Sequence, residues 1–290
     1  MLGQTYKDIE VLIIDDGSTD MSSAICDSYA SKDSRVKVFH KSNGGVASAR
    51  QVGIDNLQGD YVIQAYADDW MEKDMLRILM EAAQNNNADV TMCDFTKVST
   101  GGEKKTYVSQ SPTSLNCHDI IEDLIYEKIL GVLWNKLVKT NCYKSIRFNI
   151  NMTKAEDLEV CLQLFQRSLK IIHLPLALYN YDVGVNTNSL MKHYDYKVFM
   201  SDKILLESIF KLVRKDISFY PAYRYRYTLY AYIIFRNNFL NNLEYFKEYH
   251  RHICHFLKSN HSLPVKFITS FSAMELKRIC FIIYRMFSKV

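Results

Sequence analysis

Two pairs of carboxylates, each following a short apolar run, are the residues of this chain best suited to chemistry. The run Ile9–Ile14 is apolar except for Glu10 and ends in Asp15-Asp16-Gly17-Ser18-Thr19-Asp20. A second run, Tyr61-Val62-Ile63-Gln64-Ala65-Tyr66, ends in Ala67-Asp68-Asp69-Trp70. In an open α/β sheet the carboxyl ends of the strands border the ligand crevice, so acids there can meet a ligand. One acidic turn needs no more explanation than turn formation and helix capping. Two at the same edge point to a divalent cation with a polyphosphate, because hard oxygen ligands suit Mg²⁺ or Mn²⁺.

The elements that would carry these acids alternate. Helical patterns are expected near Ser22–Ser31, from Val46 to Asn56 and over Lys73–Gln84, with further strands at Val36–His40 and Asp89–Asp94. Gly17-Ser18-Thr19-Asp20, Leu57-Gln58-Gly59-Asp60 and Asn85-Asn86-Asn87 are turn signals between them. Such alternation predicts an α/β fold with a doubly wound, mostly parallel sheet. The polar segment Ser99–Ser114 reads as an exposed hairpin or loop, and helices follow from Cys117 and over Ala155–Ser168. From Asp195 onward helical pattern and tyrosines dominate.

At 290 residues, with 48% apolar and 23% charged content, the chain suits one large α/β domain with a smaller appendage. It has no run of about 18 apolar residues, the length of a membrane span, and no signal peptide is expected ahead of the Ile9–Ile14 strand. The seven cysteines are scattered without C-x-x-C spacing, which reads as reduced core thiols in a cytoplasmic protein. The net charge of +4 hides a split: Lys203–Val290 carries 15 Lys and Arg against 5 Asp and Glu, leaving about −6 on the preceding residues. The predicted division is therefore residues 1–200 and a basic, aromatic helical region, 201–290.

The ordered segments Gln4-Thr5-Tyr6-Lys7-Asp8-Ile9-Glu10, Asp15-Asp16-Gly17-Ser18-Thr19-Asp20, Asn43-Gly44-Gly45-Val46-Ala47-Ser48-Ala49-Arg50 and Ala67-Asp68-Asp69-Trp70 resemble family-2 glycosyltransferases. Leu133-Trp134-Asn135-Lys136-Leu137, Ile146-Arg147-Phe148 and Glu156-Asp157 continue the likeness, which covers Gln4 to about Ser189. It implies a GT-A fold and transfer of a sugar from a nucleotide diphosphate, such as UDP, with inversion. Asp16 would then read the base, its carboxylate accepting the N3–H of uracil, while Asp15 holds the turn. Arg50 would lie near base and diphosphate, with a salt bridge to Asp16 or Asp20 as its structural alternative. The Asn43-Gly44-Gly45 turn would let backbone approach the donor. Asp68 and Asp69 match the metal-binding motif, although Tyr66 stands where the commoner form has a further acid. Asp157 matches the base that deprotonates the acceptor hydroxyl, kept ionised by the helix dipole. Glu156 is expected on the acceptor side with Trp134, which could floor a sugar or sit in the core; His193 could assist at the phosphates.

Members of that family usually begin with an apolar strand ending in a Pro-x-Tyr-like segment, whereas this chain starts at Met1-Leu2-Gly3-Gln4. The first strand is therefore expected to be missing, and two functions follow. One is an enzyme of cell-surface polysaccharide synthesis acting on a glycan or lipid-linked acceptor. The other is an inactive, truncated or degenerate nucleotide-sugar-binding protein. The donor and acceptor pocket is expected around Thr96–Thr113 and Val183–Ser189. In the tail, Tyr220–Arg236 and the amphipathic run Met274–Val290 could lie on the inner face of an anionic membrane or pack as a helical bundle. No nucleic-acid recognition module is present, and His250-Arg251-His252-Ile253-Cys254-His255 reads as surface histidines.

Overall fold

The first apolar run folds as β1 (Val11–Asp15), whose last residue delivers the first acid pair to the strand's end. The computed structural model describes residues 1–99, 105–183 and 195–236. Helix α1 (Ser22–Ala30) leads to β2 (Val36–His40), which pairs with β1 in parallel from Val11↔Val36 to Asp15↔His40. Helix α2 (Val46–Asp55) follows, then two-residue strands β3 (Tyr61–Val62) and β4 (Trp70–Met71). Helix α3 (Met75–Asn85), β5 (Val90–Val98) and β6 (Lys105–Val108) come next. The order ends with α4 (Cys117–Ile125), β7 (Lys136–Lys139), α5 (Glu156–Leu164), β8 (Ile171–Asp182), α6 (Tyr196–Lys215) and α7 (Tyr220–Arg236).

The α/β expectation stands, but the sheet is not mostly parallel. β1 and β2 form a two-stranded parallel sheet, and a six-stranded sheet runs β3-β7-β5-β8-β4 with β6 beside β5. Within the larger sheet only β5 and β8 are parallel among the described residues; the β3–β7, β4–β8, β5–β6 and β5–β7 pairs are antiparallel. β6 runs antiparallel beside β5 from Phe95↔Val108 to Val98↔Lys105, and β3 and β4 add only two residues each to the sheet. β8 slips register between Cys93↔Leu174 and Asp94↔Ala177, so Pro175 and Leu176 bulge out of the ladder. Proline has no N–H to give there. Asp94, fully buried at this bulge, accepts from His173 Nε2 (2.8 Å), the Gln110 amide (2.6 Å) and the Tyr107 hydroxyl, tying β5, β6 and β8 together.

The core lies where α3 covers this sheet. Met75, Leu79 and Ala83, at helical spacing, pack with Cys93, Phe95, Trp134, Leu137, Leu178 and Tyr179. The start of α3 is capped from a distance. Gln4 Oε1 accepts the Leu76 amide (3.0 Å) and Gln4 Nε2 donates to the Glu72 carbonyl (2.7 Å), so the Gln4-Thr5 segment finishes a helix end that its own sequence leaves open.

By compactness the chain divides into Met1–Ile209 and Phe210–Val290. In the second unit Arg224 lies over Tyr220 and Arg226 over Tyr230, at 5.8 and 5.4 Å. Arg226 is itself buried, as are Phe219, Ala222 and Tyr227, so this part of the tyrosine-arginine run is packed rather than evenly solvated. No helix among the described residues is long and apolar enough to cross a membrane. The Met274–Val290 run, the histidine-rich segment from His250 to His255, His193 and residues 184–189 lie outside the described residues, as do Cys254 and Cys280. The other five cysteines are free thiols.

Candidate active site

The nucleotide end is built from the loops after β1 and β2. Asp15 turns inward: it accepts the Ser18 amide (3.0 Å) and pairs with His40 Nδ1 (2.9 Å) across the β1–β2 register. Hydrogen bonds from Ser18 and then His40 hold its carboxyl far below the ordinary range. His40 also contacts Asp27 through Nε2 (2.9 Å), and the two acids raise its pKa. Both Asp15 oxygens thus fasten the turn that carries Asp16.

Asp16 points the other way, into the turn before α2. Its Oδ1 accepts the Gly44 amide (2.9 Å), its Oδ2 the Gly45 amide (2.8 Å), and Lys41 Nζ pairs with it. Burial pushes this carboxyl up, but the ammonium and the two amides outweigh it and the net shift is downward. A carboxylate has about four lone-pair sites, so one on Oδ2 remains for a further donor. Two glycines make the approach possible. Gly45 enters α2 at φ +82°, and Gly17 sits at φ +77° where a Cβ would stand 2.7 Å from the Asn43 amide nitrogen. Lys41 was not singled out in the sequence; it follows His40, whose register partner is Asp15, and that parallel register is the signal that leads to it.

The second centre lies along α2. Arg50 does not pair with Asp16 or Asp20. Its Nη1 contacts Glu156 Oε1 and Asp157 Oδ1. Its Nη2 donates to the Tyr66 hydroxyl, with the guanidinium carbon 5.0 Å from the centre of that ring. The Tyr66 hydroxyl in turn donates to Asp157 Oδ2. Asp157 Oδ1 meets Arg50 in charge contact without a well-aligned hydrogen bond, which leaves its lone pairs open to a proton. Glu156 and Asp157 open α5 as expected, after Ala155 in a left-handed conformation at φ +59°. The helix dipole does not decide the ionisation of Asp157, however. Burial lifts its pKa from 3.8 to about 6, against the opposing pull of Arg50.

Asp68 and Asp69 do not by themselves close a cation site. Asp69 accepts the Tyr179 hydroxyl on one oxygen and the Asp182 amide on the other, both at 2.9 Å, and burial raises its pKa. Burial also pushes the Tyr66 phenol far from ionisation, so this position offers no anionic oxygen. The exposed Asp68 carboxylate remains available; Mg²⁺ is commonly held by one or two carboxylates together with substrate phosphates and water, so these residues fit a cation shared with a donor diphosphate. Among the described residues, metal-ligand spacing occurs only at His118, Asp119 and Glu122 on α4.

Trp134 is not a sugar floor. It is 1% exposed, with its indole stacked on Tyr179 at 4.4 Å and Tyr181 at 5.8 Å and edged by Phe95 at 4.8 Å. Its neighbours matter more. Lys136, fully buried, donates to the Leu130 carbonyl (3.0 Å), the Val132 carbonyl (2.8 Å) and Asn135 Oδ1 (2.8 Å). Asn135 Nδ2 donates to the Cys93 carbonyl (2.9 Å). The loop so fixed carries Gly131, where a Cβ would fall 2.7 Å from Leu158 Cβ, so this glycine lets the loop seat the first turn of α5 beside Asp157. A buried lysine is rare enough to escape any reading from composition.

The sequence profile described as "Glycosyl transferase family 2" matches residues 1–171, and the chain belongs to that family. It is 30% identical over 231 residues to the uncharacterized glycosyltransferase EpsJ of Bacillus subtilis, covering 77% of this chain and 64% of EpsJ. It is 28% identical over 181 residues to the cholesterol galactosyltransferase of Borreliella burgdorferi, covering 59% and 51% of the two chains. The chain thus spans less than two thirds of these relatives. Among solved structures, S. aureus TarS 1–349 with UDP-GlcNAc superposes with a TM-score of 0.64 at 18% identity, covering 88% of this chain and 74% of that one. TarS 1–349 with UDP gives 0.56 at 20% identity, covering 71% and 58%. The fold is therefore that of the GT-A glycosyltransferases.

Proposed function

We propose that the chain is an inverting glycosyltransferase that moves a sugar from a UDP-sugar to an acceptor hydroxyl, with Asp157 as the base. The observation carrying this reading is the Arg50–Glu156–Asp157–Tyr66 cluster, which holds one carboxylate buried, oriented and close to neutrality in its proton affinity. A base does best with a pKa near the working pH. In the in-line step the acceptor oxygen bonds to the anomeric carbon as its proton passes to Asp157. The bond from that carbon to the donor phosphate breaks, and the electron pair leaves on UDP. Asp16 accepts the uracil N3–H on its open lone pair, and the complexes of TarS with UDP and UDP-GlcNAc support that donor class. Asp68 would hold a divalent cation jointly with the donor diphosphate, and that ion would supply neutralisation of the charge growing on the leaving group.

The acceptor is a glycan or a lipid-linked sugar in cell-surface polysaccharide synthesis, at the cytoplasmic face of the membrane. The relative named for galactosyl transfer to cholesterol supports a lipid-borne hydroxyl. Residues 1–200 would serve as the catalytic domain and 201–290, with its excess of Lys and Arg, as the part that meets the anionic surface. Titrating UDP and UDP-GlcNAc by calorimetry and then assaying UDP release tests the proposal. Binding with turnover is the expected result. Binding without turnover, with water and with sugar acceptors alike, would make the chain a nucleotide-sugar-binding protein, a reading that Tyr66 in place of an acid favours. Absence of binding would refute both.

A further inference from the structure

Position 66 lacks the acid of the commoner motif, and the side chain present reaches into the Arg50–Asp157 pair. We propose that Tyr66 is a positioning residue for the base, its hydroxyl accepting from Arg50 Nη2 while donating to Asp157 Oδ2. This rests on the reading of Asp157 as the base. The geometry leaves the hydroxyl little choice. It has one proton, Arg50 can only donate, and an ionised carboxylate can only accept, so the proton must point to Asp157. The ring is held as well, since the guanidinium lies over it at 5.0 Å and the Tyr66 amide donates to the Tyr179 hydroxyl at 3.2 Å. Tyr179 is in turn bonded to Asp69, so the chain on either side of Asp68 is fastened and Asp157 inherits a fixed orientation.

Donation to the ionised carboxylate favours its charged form. The other groups acting on Asp157 are Arg50 and Lys136, which also favour the charge, and Glu156, which opposes it; Tyr143 and Cys161 are neutral neighbours. Removing the hydroxyl in Tyr66→Phe should therefore raise the titration of Asp157 by about one pH unit, a tenfold change in proton affinity.

The test reads that titration directly. In full-length protein carrying ¹³C-carboxyl aspartate, the Asp157 signal is identified by its loss in Asp157→Asn and followed with pH in wild type and Tyr66→Phe. Slow hydrolysis of UDP-GlcNAc, with water as acceptor, supplies the rate. We expect a titration near pH 6 in wild type and about one unit higher in Tyr66→Phe. The hydrolysis rate should fall about tenfold at pH 5 but less than twofold at pH 8, with little change in the KM for UDP-GlcNAc. A merely structural tyrosine would lower the rate equally at every pH, and that result, or an unmoved titration, overturns the proposal. If Tyr66→Phe does not melt cooperatively, 3-fluorotyrosine at position 66 replaces it. That stronger donor should move the titration down, and no movement overturns the proposal. A titration that moves while the rate profile stays put supports the hold of Tyr66 on Asp157 and overturns instead the reading of Asp157 as the base.

Discussion

Asp157→Asn should stabilise the protein while silencing it. The carboxyl titrates near 6 instead of 3.8, because burial costs its charged form more than Arg50 and Tyr66 return. At about 1.4 kcal/mol per pH unit, that shift amounts to about 3 kcal/mol. The folded pKa is the raised one, so the stabilising contribution is fully present below about pH 3.8 and is lost as the pH rises through about 6. At pH 8 the native state therefore holds an ionised carboxylate at a cost that a neutral amide of the same shape avoids. The amide oxygen can still accept from the Tyr66 hydroxyl. We expect the variant to be more stable than wild type by about 1–3 kcal/mol at pH 8, with the difference gone by pH 4. Circular dichroism melts at the two pH values measure this, and UDP release measures the second effect, a loss of about 10²–10⁴-fold. A variant less stable than wild type at pH 8 would mean that the attraction of Arg50 outweighs burial. Near-normal turnover would remove Asp157 as the base.

Asp16→Ala should weaken UDP binding in calorimetry by about tenfold or more, the worth of a charge-assisted hydrogen bond, and should also loosen the turn before α2; unchanged affinity would place the base elsewhere. Gly131→Ala should cost about 1–3 kcal/mol in urea melts, since the added methyl meets both the Cβ and the backbone of Leu158. Mn²⁺ titrated without nucleotide should bind no tighter than about millimolar, the range of sites poor in ligands. Tighter calorimetric binding, lost in Asp68→Ala, would show that the acids rearrange around the ion.

What was legible in the sequence tracks how local each cause is. The strand Val36–His40 matches the expected bounds, and α1 and α2 stop one residue early, because turn residues and apolar pattern frame them. β7 and β8 went unread: β7 is four residues long, and β8 holds a proline that makes sense only as the bulge opposite Cys93 and Asp94. The strand expected to run on to Tyr66 pairs only at Tyr61 and Val62. In the site, the family resemblance marked Asp16, Arg50, Glu156 and Asp157, but the partners were out of reach. Arg50 meets acids more than 100 positions away. Whether Trp134 stacks on a sugar or on Tyr179 depends on what covers its faces, which no spacing records. The charge state of Asp157 likewise depends on burial by distant segments and not on its own helix.

The ammonium of Lys136 and the amide of Asn135 form a small buried polar knot, bonded to each other and together closing on the carbonyls of Leu130, Val132 and Cys93. Such a knot shapes the routes by which the sequence can drift. Replacing Lys136 alone leaves the Leu130 and Val132 carbonyls and Asn135 Oδ1 each short of a donor, and replacing Asn135 alone leaves the Cys93 carbonyl without its side-chain donor and the ammonium one acceptor poorer. Each single step is downhill in stability, whereas removing both side chains for apolar ones of similar volume avoids much of that loss. In a combinatorial library of these two positions, single substitutions should be scarce among folded clones and paired apolar ones over-represented, a valley between two peaks set by five hydrogen-bonding groups and nothing that touches a substrate.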